Sequence, residues 1–239
     1  MMNNKKAIAA IAAGLLVVCA IVFLTVESAG GTLDVVGKRS IQSFEQVLKA
    51  IPDQASQESE GKDFTLTAPD GGVRFIWNSA NNSDSRFDVM LQADAAPFIA
   101  AGLDTEKLPE EYDVSGDFIT AGLKLDNSGY VKDGGSALDA YESMVYNDRS
   151  LINYHMDMDH FGVKLGGGNM FEWAKNMKTS AATGEEQDKD IVFVLNPEPF
   201  IAAGVNPEKV EGWIYAPVPV MENGKKVEVL KFLKPFNIQ

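Results

Sequence analysis

The sequence predicts an α+β fold: a tandem duplication of an α-β-β-β-α-β-β unit behind an N-terminal transmembrane helix. Three observations predict it. The stretch PFIAAGLDTEKL (Pro97–Leu108) returns as PFIAAGVNPEKV (Pro199–Val210), with eight of the twelve positions identical. Segments on either side of each copy keep their order and their apolar pattern, with loop insertions between them. An unbroken uncharged run from Ala7 to Val26 follows Lys5 and Lys6.

The first element is that apolar run. As a helix it spans about 30 Å, the thickness of a bilayer's hydrocarbon core. A cleaved signal peptide carries an apolar stretch of only ~7–15 residues. The reading is therefore an uncleaved anchor over residues 1–29, with cleavage near Ser28, which would secrete the chain, as the alternative. Lys5 and Lys6 stay in the cytoplasm and send the rest of the chain outside, to the periplasm or cell surface. Cys19 is the single cysteine and lies inside the run, so the exterior part holds no disulfide and depends on its core alone.

The first repeat is expected over residues 32–132. It opens with an amphipathic helix, Ile41, Phe44, Val47, Leu48 and Ile51 falling at helical spacing. A hairpin follows, turning at APDGG (Ala68–Gly72), then a buried strand FDVMLQ (Phe87–Gln92). The repeated motif supplies a short helix. Asp94 and Asn196 are N-caps, Phe98/Phe200 and Ile99/Ile201 point inward, and Gly102/Gly204 end the helix in the left-handed conformation. A second hairpin is expected to turn at DNSG (Asp126–Gly129).

The second repeat is expected over 133–239, after the glycine-rich boundary VKDGGS (Val131–Ser136), with Ser136 as the next helix cap. Its helix is LDAYESMVYND (Leu138–Asp148), its hairpin lies in YHMDMDHFGV (Tyr154–Val163), its buried strand is DIVFVL (Asp190–Leu195), and its last hairpin turns at ENG (Glu222–Gly224). Short helices and few aromatic residues in each half favour the two packing side by side through their sheets.

Charge and motif content narrow the function. The net charge of −13 and pI near 4.6 repel phosphate backbones, so nucleic acid is not an expected partner. The chain has no GxSxG elbow, HExxH, CxxC or phosphate-cradling glycine motif, and SEGK (Ser59–Lys62) has SxxK spacing without its companion motifs. No cofactor is indicated.

Two stretches stand out. YHMDMDH (Tyr154–His160) holds both histidines. On one continuous strand His155, Asp157 and Asp159 share a face and form a metal-ligand row, while Met156 and Met158 face the core. NMFEWAKNM (Asn169–Met177) reads as a short helix whose Met170, Phe171, Trp173 and Met177 either cover the core or offer a surface to a protein or peptide. The expectation is a membrane-anchored extracytoplasmic binding or interaction protein without catalysis. The alternatives are an envelope metal-binding protein using the His155-Asp157-Asp159 row, or a carboxylate hydrolase in the cleft between the repeats.

Overall fold

A computed structural model describes residues 34–50, 64–78, 86–125, 137–147, 149–155, 160–174, 191–222 and 225–237. The expected anchor, the Ser136 cap and the DNSG turn lie outside the described residues. Among the described residues no helix is long and apolar enough to cross a membrane.

The architecture is α+β, with two antiparallel sheets and few helices. Helix α1 (Val35–Ala50) opens it. Strands β1 (Phe64–Thr67), β2 (Val73–Trp77) and β3 (Val89–Asp94) follow, then the short helix α2 (Ala96–Ala100) and strands β4 (Asp113–Ser115) and β5 (Phe118–Leu123). They form a five-stranded sheet of order β1-β2-β3-β5-β4. Helix α3 (Ala137–Asn147) starts the second series. After it come β6 (Ile152–His155), β7 (His160–Lys164), β8 (Met170–Ala174), β9 (Ile191–Leu195), helix α4 (Glu198–Ala202), β10 (Ile214–Glu222) and β11 (Lys225–Phe236). Their six strands run in the order β10-β11-β9-β8-β7-β6.

Local chemistry explains the elements. In α1 Phe44, Val47 and Leu48 are buried at helical spacing, as expected. Asp34 caps the helix by accepting a 2.8 Å bond from the Gly37 N–H, and holds Arg149 through two further bonds of 2.8 and 3.0 Å. The APDGG turn is the β1–β2 turn, closed by Gly71 at φ +73°. Strand β9 is buried along its whole length because both sheet faces are apolar: Ile191, Phe193 and Leu195 join the main core, and Val192 and Val194 form a smaller cluster with Leu233.

Three expectations are corrected. The second hairpin of the first series is β4–β5, turning at Gly116–Asp117; Gly116 at φ +58° supplies the tight reversal, so FITAGL is the hairpin's second strand rather than its first. NMFEWA is strand β8, not a helix. Its side chains alternate between faces, Phe171 and Trp173 toward the main core and Met170 toward the smaller cluster, and it is laddered between β7 and β9. The string YHMDMDH is not one strand either: β6 and β7 are antiparallel, with His155 opposite His160, so the chain reverses inside it.

Both sheets bury their inner faces in one hydrophobic cluster. The Phe75 and Phe171 rings, one from each sheet, stack 4.0 Å apart at 13°. Phe44 of α1 lies 5.3 Å from Trp77 and 5.3 Å from Trp173, and 4.4 Å from Tyr141 of α3. The Trp173 indole N–H donates to Ser43 at 3.0 Å, tying α1 to the second sheet. On the outer strand β10, Pro217 and Pro219 oppose Leu230 and Glu228. A proline cannot sit in a narrow pair that needs its N–H, so both nitrogens face the sheet's outer edge.

Because the core is continuous, Phe75→Ala and Phe171→Ala should each cost ~3–5 kcal/mol and shift one common urea transition, read by far-UV circular dichroism and tryptophan fluorescence; separate transitions for the two sheets would contradict a shared core. The Arg149 guanidinium bonded to Asp34 holds that carboxyl below its ordinary value. The stabilisation is therefore present above the unfolded carboxylate value and is lost as pH falls through the lower folded value. Asp34→Asn should be less stable than the native chain at pH 7, and the gap should close toward pH ~3; a gap independent of pH would rule out the charge on Asp34 as its source.

Candidate interaction site at the paired motifs

The two copies of PFIAAG touch each other. In each copy the strand ends on a residue whose side chain turns the chain into the helix: Asp94 accepts from the Ala96 N–H at 2.9 Å, and Asn196 from the Glu198 N–H at 3.4 Å. A single helical turn follows. It closes with the same pair of bonds in each copy, Gly102 N–H to Ile99 C=O (3.0 Å) with Leu103 N–H to Phe98 C=O (2.9 Å), and Gly204 N–H to Ile201 C=O (3.0 Å) with Val205 N–H to Phe200 C=O (2.9 Å). This is the glycine-ended helix terminus, with Gly102 at φ +110° and Gly204 at φ +103°. Asp104 and Asn206 then cap the short turns Thr105–Lys107 and Pro207–Lys209.

The contact between copies is reciprocal. The Asp104 N–H donates to the Ala203 carbonyl at 2.9 Å and the Asn206 N–H to the Ala101 carbonyl at 2.8 Å. A Cβ on Gly102 would lie 2.7 Å from the Gly204 oxygen, and one on Gly204 would lie 2.8 Å from the Gly102 oxygen. Beneath this backbone contact the Phe98 and Phe200 rings meet at 4.9 Å, both fully buried, with Phe232 edge-on to each. Packing thus accounts for the phenylalanines, the second alanines and the glycines.

It does not account for the isoleucines. Ile99 and Ile201 are 51% and 41% exposed, contrary to the inward orientation expected from the sequence. On so short a helix Phe98 and Ala101, three apart, take the inner face, and their neighbours are turned outward. Ala100, Ala202, Gly102 and Gly204 are exposed beside them, and the identical pairs Glu106–Lys107 and Glu208–Lys209 are exposed just beyond. Each isoleucine is one hydrogen-bonded turn from the glycine contact, so the apolar surface is presented twice around one point. Next to Ile99 a groove of about 350 Å³ opens, floored by Ala95, Ala96 and Phe118 and edged by Asp94 and Asp117.

Further contacts cross between the two series. Asn169 is buried, donates to the Tyr112 hydroxyl at 3.2 Å and accepts from the Asn196 N–H at 2.9 Å; burial pushes the Tyr112 phenol up to about 12. Lys234 bonds Asp70 and donates to the Gly212 carbonyl at 2.8 Å.

The residues singled out from the sequence fall elsewhere. Phe171 and Trp173 are fully buried core residues, and Met170 packs against Val192, Val194 and Leu233, so NMFEWA is core rather than a docking surface; Met177 lies outside the described residues. His155 ends β6, His160 is buried at the start of β7, and Asp157 and Asp159 lie outside the described residues. The chain reversal removes the one-strand geometry on which the His155-Asp157-Asp159 row rests. Among the described residues no group of three His, Cys, Asp or Glu side chains could hold a metal ion.

A groove of about 470 Å³ runs between the β1–β2 turn and the end of β11, lined by Pro69, Asp70, Lys234, Pro235 and Phe236. Its one carboxylate among the described lining residues is Asp70. Burial pushes that carboxyl up, but the Lys234 ammonium and the Gly72 N–H outweigh burial and hold it below its ordinary value. An acid kept ionised in this way donates no proton near neutrality.

Compared with family models, with curated proteins and with solved structures, the chain gives no match.

Gly102→Ala should destabilise the protein by at least ~2 kcal/mol, because it adds a backbone clash to left-handed strain of ~1–3 kcal/mol. Gly116 has φ +58° with open space around it; Gly116→Ala should cost only the strain, about 1 kcal/mol. Chemical denaturation of both variants checks the order; equal losses would mean that the glycine contact at the motif carries no weight.

Proposed function

We propose that the chain is a membrane-anchored extracytoplasmic interaction protein, without catalysis, whose two series are tandem copies of one unit and whose binding surface is the pair of repeated motifs. The observation that carries this reading is the exposure of Ile99 and Ile201. An isoleucine in solvent brings no folding benefit at its position, yet the same residue stands in both copies, beside the same exposed alanine. Contiguous exposed apolar surface on a folded protein is a mark of an interaction site.

Strand order supports the duplication. The sheet β1-β2-β3-β5-β4 has the order of β7-β8-β9-β11-β10, with β6 added at one edge and the β10–β11 ribbon lengthened. Phe75 and Phe171 take equivalent places on β2 and β8 in this pairing, which differs from one that sets the β1–β2 hairpin against Tyr154–Val163. The anchor rests on the run Ala7–Val26, behind Lys5 and Lys6.

The test is a photo-crosslinking amino acid placed at Ile99 or Ile201 in cells that make the full chain. A discrete adduct is expected from both positions and none from Val35, which is more exposed but lies on α1. Ile99→Ser/Ile201→Ser should keep the native unfolding midpoint, since surface changes fall within ~0.5 kcal/mol. Alkaline carbonate should leave the full chain with the membranes. Adducts from Val35 but from neither isoleucine would refute the surface; carbonate release would refute the anchor.

A further inference from the structure

We infer that the groove beside Ile99 is a docking site for an arginine of a protein partner, held against the Phe118 ring between Asp94 and Asp117, with an apolar neighbour of that arginine resting on Ile99. This rests on the interaction reading above and names the chemistry of the partner.

The groove is built from small residues around one ring. Gly71 and Gly116, each in a turn, and the side chains of Ala95 and Ala96 stand low in its wall, and open space surrounds a Cβ placed on either glycine. The half-buried Phe118 ring is thereby left reachable. One side of that ring is already occupied. The Arg74 guanidinium lies 4.3 Å over it, bonds Gln92 at 2.7 Å, and is not among the residues that line the groove. The groove therefore meets the ring away from Arg74. A ring that holds one guanidinium by its π-face has the chemistry to hold another from the open side.

Charge decides the kind of partner. The lining holds two carboxylates and no cation. Asp94 uses one oxygen on the Ala96 N–H at 2.9 Å, and its other oxygen carries no bond among the described residues. The Asp117 carboxylate bonds nothing among them. The remaining charges near the motif are matched or lie elsewhere. Lys107 bonds Asp104 at 2.8 Å, Lys234 bonds Asp70, and Glu198 stands on the second motif within reach of the Lys231 charge. Glu106 adds a further exposed acid. With Arg74 counted, the surroundings of Ile99 stay acidic, so a cation is the complementary group.

A guanidinium suits this place better than an ammonium. It is flat, stacks on an aromatic ring and forks onto carboxylates, whereas a lysine brings one compact hydrated charge. Beside it Ile99 supplies the apolar contact. In the second motif Asn196 takes the place of Asp94 and carries no charge, so Ile201 does not share the site.

Surface plasmon resonance on the full chain, immobilised in detergent micelles, tests this with the peptides GSRLSG, GSKLSG and GSQLSG. GSRLSG should bind saturably with a Kd below about 1 mM, GSKLSG more weakly and GSQLSG not at all. Asp94→Asn/Asp117→Asn should raise Kd at least ~10-fold, and Ile99→Ser should also weaken binding. Asparagine makes the same backbone bond at Asn196, so the double variant should keep the native unfolding midpoint. Glu211→Gln/Glu228→Gln removes the same charge from exposed places elsewhere and, like Ile201→Ser, should leave Kd unchanged. No saturable binding of GSRLSG overturns the proposal. So does equal binding of GSQLSG, or an equal loss in the Glu211/Glu228 variant, which would make the attraction one of net charge. If GSRLSG fails while Ile99 still crosslinks in cells, the interaction surface stands and the arginine site falls. If GSRLSG binds as expected while neither isoleucine crosslinks, the arginine site stands and the paired-motif surface falls.

Discussion

Two backbones pressed together at Gly102 and Gly204 fix most of what surrounds them. Each glycine faces the other's carbonyl oxygen at a distance that no Cβ tolerates. Both must also take a left-handed conformation to end their helices. Once the backbones meet there, the N–H groups of Asp104 and Asn206 find carbonyls on the opposite motif, and the Phe98 and Phe200 rings are brought into contact below. The same spacing leaves the sheets close enough for Phe75 to stack on Phe171 and for Phe44 to reach both Trp77 and Trp173. The rest of the core is filled around a contact in which side chains take no part.

How much of this was legible in the sequence depends on what set each feature. Helix α1, the β1–β2 turn, the buried run of β9 and the glycine-ended turns were legible, because each follows from spacing or backbone chemistry inside a few residues; the caps were misplaced by one residue, Ala95 and Pro197 standing where Asp94 and Asn196 were expected. NMFEWA was not, because its apolar residues fit a helical and an alternating pattern equally well. Its neighbours in the sheet decided the matter, with Phe171 and Trp173 required on one face. A hairpin within YHMDMDHFGV was legible but its turn was not, because YHMDMDH lacks the glycine or proline that usually marks one; His155 opposite His160 puts the reversal between them. Burial of Phe98 was legible, and that of Ile99 was misjudged. A helix of a single turn has room for one narrow inner face, and the three-residue spacing of Phe98 and Ala101 carried that information. Of the candidate site, the motif was legible as a repeat. That its copies meet was not, since nothing local in the sequence reports a contact between residues so far apart.

The two series share a core but not a surface. The first ends in a three-residue strand, β4, where the second has the nine-residue β10. The second sheet carries β6 beyond β7, and the first stops at β1. Their outer faces differ as well. On the first sheet Arg74 bonds Gln92, Gln92 bonds Thr120, and the Arg74 guanidinium lies 4.3 Å over the Phe118 ring. On the second the matching face buries Val192, Val194 and Leu233. The likeness of the two series is thus confined to the strand order they share and to the motif where they touch.

The two prolines of β10 carry a consequence for how this molecule behaves in a crowd. With both nitrogens turned outward, the rim of the second sheet offers carbonyl oxygens but has no hydrogen to give at Pro217 and Pro219. A stray extended chain arriving there would have to strand its own acceptors against ring carbons. Fibrillar growth, in which each arriving chain becomes the template for another, is thereby stopped at its first step on that side.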